Sequence, residues 1–175
     1  MRLIYVAVFS LFLAVISFAL PACAEGVDQS IVATLPPDPG AAGKETLAGI
    51  DSDNDGVRDD VQRWIVMTYP NSQKTRAGLI QRAKTMQEIL LNAEDAVRSV
   101  SNVKQMIRDT DCLEFVSPNA YYEGAIGLKA MLLNNRVRSM VWLQANTHLS
   151  GNVFTSLGDN DLRQGCNFDP DAMPN

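Results

Sequence analysis

Apolar positions recur along this chain at helical intervals. Val61, Trp64, Ile65 and Thr68 follow an i, i+3, i+4, i+7 pattern, which predicts a short helix that stops at Tyr69-Pro70. Leu79, Ala83, Met86, Leu90, Ala93, Val97 and Val100 then alternate steps of four and three, a heptad seam opening after a cap at Asn71 or Ser72. Small and flexible residues alternate with leucine and valine along it, which suits an antiparallel bundle better than a dimeric zipper. Val103, Met106 and Ile107 carry helical character toward Cys112, with a break expected near Ser99 to Asn102. Ser117-Pro118 reads as an N-cap and first-turn pair opening a segment to about Thr147, with Gly151 as its stop. Its apolar seam is Ile126, Ala130, Leu133, Val137 and Met140, with a bend at Asn134-Asn135. Gly124 and Gly127 inside it predict a close helix neighbour or a local bend. No run alternates convincingly with period two, so the predicted class is all-α: a small helical bundle with few or no strands.

Ahead of the first helix the pattern changes to Asp51-Ser52-Asp53-Asn54-Asp55-Gly56-Val57-Arg58-Asp59, with side-chain oxygens at alternate positions and then a glycine. Carboxylates at loop positions 1, 3 and 5 converge on one hard cation, and glycine at 6 permits the sharp turn. Position 7 offers the Val57 carbonyl, and Asp59 at 9 binds directly or through water. With Asp60, five carboxylates fall within ten residues, offset only by Arg58. Two such charges about 4 Å apart repel by roughly 4 kcal/mol at an effective dielectric near 20, so a closed loop calls for a cation. The competing reading is an acidic, hydrated turn, because Asp, Asn, Ser and Gly are also turn formers.

The pattern D-x-D-x-D-G-x-x-D resembles the EF-hand loop. It is also similar to shorter bacterial and extracellular relatives that lack an entering helix, such as the thrombospondin type 3 repeat. The likeness covers only the loop. It implies calcium, held by Asp51, Asp53, Asp55, the Val57 carbonyl, Asp59 and the residue at position 12, Gln62. An EF-hand has a bidentate glutamate there, so one amide oxygen implies weaker binding, and Asp60 substitutes only if the loop closes differently. Position 8 is Arg58 where paired EF-hands carry an aliphatic residue. The entering segment Leu35-Pro36-Pro37-Asp38-Pro39-Gly40 is unsuited to a helix. Gly158-Asp159-Asn160-Asp161 is half a motif and reads as a polar turn. A lone loop of this kind is unlike a calmodulin-type switch.

The uncharged run from Leu3 to Leu20 behind Arg2, followed by Pro21-Ala22-Cys23-Ala24, reads as an export signal over residues 1–24. Two alternatives stay open: an uncleaved anchor, and a lipobox at Leu20-Pro21-Ala22-Cys23 that would acylate Cys23 and tie the protein to a membrane. Residues 25–45 read as a flexible Pro- and Gly-containing tether, and 46–175 as the calcium loop, the helical domain and an irregular C-terminal tail. With Cys23 removed or acylated, Cys112 and Cys166 are left to form one disulfide, worth about 4 kcal/mol in the chain-entropy model. The sole histidine, His148, lies near a helix end and gives catalytic cysteine chemistry little support. Net charge is −5, made more negative when Arg2 leaves with the signal, so nucleic acid is excluded as a natural partner.

The expectation is an exported protein, periplasmic or secreted, whose calcium is structural and whose partner is a protein of the envelope or exterior. Calcium outside the cytosol is abundant enough to load even a weak loop, which argues against signalling. A metal-assisted hydrolase is the alternative from another class, yet the chain shows no paired histidines, nucleophile elbow or Gly-rich phosphate loop. A bundle carrying a small apolar ligand among its tyrosines, Trp142 and methionines is the third reading, with simple core as the commoner use of such residues.

Overall fold

The computed structural model describes residues 29–174, so the export signal and Cys23 lie outside the described residues. It contains six helices: α1 (Gln29–Val32), α2 (Asp59–Thr68), α3 (Gln73–Leu91), α4 (Ala96–Val116), α5 (Tyr121–Leu132) and α6 (Arg136–Thr147). Among the described residues there is no strand, as the helical periodicity predicts. Single 3-10 turns at Ala42–Lys44, Leu162–Gly165 and Pro170–Ala172 punctuate the irregular segments. No helix among these residues is long and apolar enough to cross a membrane.

Side-chain caps open three of the helices, α3, α4 and α6. Ser72 accepts from the Thr75 N–H at 3.2 Å and opens α3, and Asn135 accepts from the Arg138 N–H at 2.9 Å and opens α6. Asp95 opens α4, accepting from the N–H groups of Val97 and Arg98 at 2.9 and 3.0 Å. The interruption between the long helices therefore falls at Asn92 to Asp95, earlier than the Ser99 to Asn102 break expected from periodicity. Ser117 closes α4, its N–H bonding the Leu113 carbonyl at 2.9 Å, and does not open α5. Pro118 follows that end, where it cannot continue the helix.

α3 and α4 form an antiparallel pair, against which α2, α5 and α6 pack. Leu79, Ala83, Met86, Leu90 and Ala93 of the seam are all buried. Beyond the break the register is lost, and Val97 is 80% exposed. The seam read along α5 and α6 is on the wrong face: Ile126, Val137 and Met140 are more than half exposed, whereas Leu128, Leu132, Trp142 and Ala145 enter the core. For α5 the reason is local. A Cβ at Gly127 would lie 2.7 Å from Cζ2 of Trp64, and one at Gly124 3.1 Å from the Tyr69 hydroxyl, so bare glycine backbone is the surface α2 packs on.

The packed body also begins earlier than the Thr46 boundary. Pro36 and Gly43 are buried. Arg63 donates Nη1 to the Pro36 carbonyl at 2.9 Å, and Arg138 donates Nη2 to the carbonyls of Gly43 and Thr46 at 2.7 and 2.8 Å. From Pro36 onward, the stretch read as a flexible tether is thus laid against α2 and α6. Its carbonyls find donors in arginines that a hydrophobic pattern does not reveal.

At the other end, the Cys112–Cys166 disulfide joins α4 to the C-terminal segment. Gln81 of α3 donates Nε2 to Asp109 Oδ1 at 2.7 Å and to the Gly165 carbonyl at 2.8 Å, while its Oε1 accepts from the Asn167 N–H at 2.9 Å. Asp111 accepts from the Leu157 N–H at 3.0 Å and from the Ser156 hydroxyl. Asp109 is fully buried. Burial pushes its carboxyl above the ordinary range; hydrogen bonds from Thr85, Gln81 and Gln105 and the charge of Arg82 pull the other way.

Candidate metal centre

The acidic loop lies between the N-terminal segment and α2. Its base is closed by the Asp59 N–H donating to the Ile50 carbonyl at 2.8 Å. Asn54 (φ 56°) and Gly56 (φ 88°) adopt left-handed conformations, which asparagine tolerates and glycine adopts freely. With the chain turned twice in this way, carboxylate oxygens of Asp51, Asp53 and Asp59 come within 4.8 Å of one another. At that spacing a pair of carboxylates repels by about 3.5 kcal/mol at an effective dielectric near 20.

Internal hydrogen bonds hold the loop in this shape. Asp51 accepts from the N–H groups of Asp55 and Gly56 at 3.2 and 3.0 Å, and Asp59 accepts from the Ser52 N–H at 2.9 Å. Asp59 is 1% exposed in the first turn of α2, where the helix dipole favours negative charge. Asp55 stands outside the converging trio, its Oδ1 accepting from the Val57 N–H at 2.7 Å. Burial pushes the Asp55 carboxyl upward, opposed by the Val57 hydrogen bond and the Lys84 charge and reinforced by Asp53 and Asp51. Gln62 donates Nε2 to Asp53 Oδ2 at 3.3 Å, and its Oε1 is buried without a hydrogen-bond partner. The donor set is entirely oxygen, which suits a hard cation, and the orphaned amide oxygen lies on a side chain already touching one carboxylate.

Two buried arginines brace the loop from outside, and neither stands out in the sequence as a structural residue. Arg58 is fully buried. Its Nε and Nη2 bond the Asp60 carboxylate at 2.9 and 2.8 Å, and Nη1 and Nη2 reach the Leu132 and Met131 carbonyls at 3.1 and 3.0 Å. It therefore caps the C-terminal end of α5. Arg138, also fully buried, bonds the Leu47 carbonyl at 3.1 Å in addition to Gly43 and Thr46. Burial and the Arg58 charge lower its guanidinium, and Asp60 raises it. Gly49 passes between the two: φ is +75°, and a Cβ there would collide with Arg58 Cδ and lie 3.0 Å from Arg138 Nη2. Val57, 1% exposed, anchors the same stretch in the core.

The half-motif at 158–161 has no such frame. Asp159 and Asp161 are exposed, and the Asp161 N–H bonds the Gly158 carbonyl at 2.8 Å in a simple turn. His148 follows the end of α6, and Cys112 and Cys166 are both held in the disulfide. No protein-family model, curated protein or solved structure matches this chain, so its own residues carry the reading of the site.

Proposed function

We propose that this is an exported helical protein in which one acidic loop binds a calcium ion for structural purposes. The observation that supports it most is the convergence of Asp51, Asp53 and Asp59 in a loop whose two sides are fixed to the body. In this reading Asp55, the Val57 carbonyl and Gln62 complete the ligand set, with Gln62 turning its orphaned oxygen to the ion. The ion would offset the repulsion among the carboxylates and clamp the N-terminal segment to the start of α2. Residue 58 supports a structural role, because an arginine tied into the bundle leaves position 8 unable to pair with a second loop. The disulfide and the signal-like residues 1–24 favour a site outside the cytosol. A protein of the envelope or exterior is the proposed partner, with membrane attachment through Cys23 or an uncleaved signal as the alternative.

Calorimetric titration of calcium into chelator-treated protein, with thermal melts on the same samples, tests the proposal. One ion per chain is expected. At a hundredfold excess over the dissociation constant it adds about 2.7 kcal/mol, or about 5 to 10 °C in melting temperature. Asp51→Ala or Asp55→Ala abolishes the binding, and Asp159→Ala leaves it intact. Absence of heat up to several millimolar calcium, or equal losses in all three variants, rejects the reading.

A further inference from the structure

A concavity of about 510 Å³ lies between the N-terminal segment, α2 and the end of α5. That size is in the range of small-molecule sites. Its apolar wall is Trp64, Met67 and Met131, and Lys44, Arg63, Asp38 and Asp60 supply the charge. Trp64 is seated rather than loose. Its indole edge rests on Gly127, and its ring meets Tyr69 edge-on with centroids 6.3 Å apart.

The charges are unequally satisfied. Asp60 is taken up by Arg58 and by Asn134, whose Nδ2 donates at 3.2 Å. Asp38, exposed at the rim, accepts from the Gly40 N–H at 2.9 Å. Among the described residues, the Lys44 ammonium has no ion-pair partner, and Arg63 uses only Nη1, on the Pro36 carbonyl. A chain of net charge −5 thus presents two uncommitted cations beside an indole and two thioethers. Such a wall accepts a flat apolar body, and unpaired cations at its edge accept an anionic group.

We propose that this cleft binds a small organic anion with a flat apolar body, of the aromatic carboxylate class. Trp64 and the two methionines take the ring, and Lys44 and Arg63 take the carboxylate. The proposal is independent of calcium, because none of these groups belongs to the loop's ligand set.

The test uses three probes of one shape, 2-naphthoate, 2-naphthalenemethanol and 2-naphthylmethylammonium, followed by tryptophan fluorescence and calorimetry on the purified protein. Naphthoate is expected to bind about tenfold tighter than the alcohol, the worth of one charge-assisted hydrogen bond, and the ammonium weakest of all. Lys44→Gln, a change at an exposed position, is expected to erase the preference for naphthoate while leaving the alcohol unaffected; Arg63→Gln is expected to reduce it. Trp64→Leu weakens naphthoate and alcohol together. Equal affinity for the three probes, no saturable naphthoate binding at several millimolar, or a preference that survives both cation variants overturns the proposal.

Discussion

Replacing Arg58 with methionine keeps much of the side-chain volume and removes its charge and donors. Two effects follow from the geometry. Asp60 loses a bidentate partner at 2.8 and 2.9 Å and keeps only Asn134, and the Leu132 and Met131 carbonyls at the end of α5 lose their cap. Breaking a buried ion pair by deleting one member costs about 3–5 kcal/mol. The Asp60 side chain retains 15% exposure, so water recovers part of its solvation and the lower part of that range applies. We therefore expect a loss of about 3–4 kcal/mol in urea unfolding. The melting temperature is expected to drop by about 6–16 °C for a chain of this size. The double variant Arg58→Met with Asp60→Asn leaves no charge without a partner and is expected to be more stable than Arg58→Met alone. A loss below about 1 kcal/mol, the scale of a surface pair, would refute the argument. So would a double variant no better than the single.

Gly49→Ala combines a left-handed backbone with a clash against both arginines, and is expected to destabilise by about 2–4 kcal/mol, measured by thermal melting. Changing both Cys112 and Cys166 to serine is expected to cost about 4 kcal/mol, with two free thiols appearing only after reduction of the native protein. Asp109 has a folded-state pKa above its unfolded value of 3.8. Between those two pH values the unfolded chain has already lost a proton that the folded protein keeps, so this group's contribution falls as pH rises through the window. Stability measured for the native protein relative to Asp109→Asn is therefore expected to decline as pH is raised from below 3.8, and a difference that grows with pH would contradict the assignment.

Much of this architecture is legible in the residue pattern, for reasons that also explain the failures. The α2 helix and the first part of the seam, Leu79 to Ala93, bury one stripe against the bundle, so periodicity reports them directly. The α5 and α6 region is apolar on several faces. Periodicity alone points to Ile126 and Met140, whereas in α5 the glycines at 124 and 127 mark the packed side. At Asn92 to Asp95 the apolar register runs on into Val97, and only the capping chemistry of Asp95 signals the stop. The alternating aspartates of the loop are visible in sequence because their spacing follows from the turn they make. Arg58 and Arg138 are not, since an arginine is expected at the surface and burial becomes reasonable only once the carbonyls it satisfies are known.

The bridge made by Gln81 bears on the order in which the protein assembles. One amide in α3 holds the Gly165 carbonyl and the Asn167 N–H, separated from it by 84 and 86 positions, and Cys166 sits between them. During synthesis the α3–α4 hairpin emerges first and can form from nearby contacts, whereas the partners of Gln81 and Cys112 at residues 165–167 follow about fifty positions after α4 ends. Until those residues are in place, the Asp109 carboxyl and the Cys112 thiol are expected to lack the cover they have in the folded protein. The disulfide is therefore expected to close only after the α3–α4 hairpin exists, fastening a helical body already in place, and loss of residues 165–167 is expected to leave the helices while removing the contact that seals them.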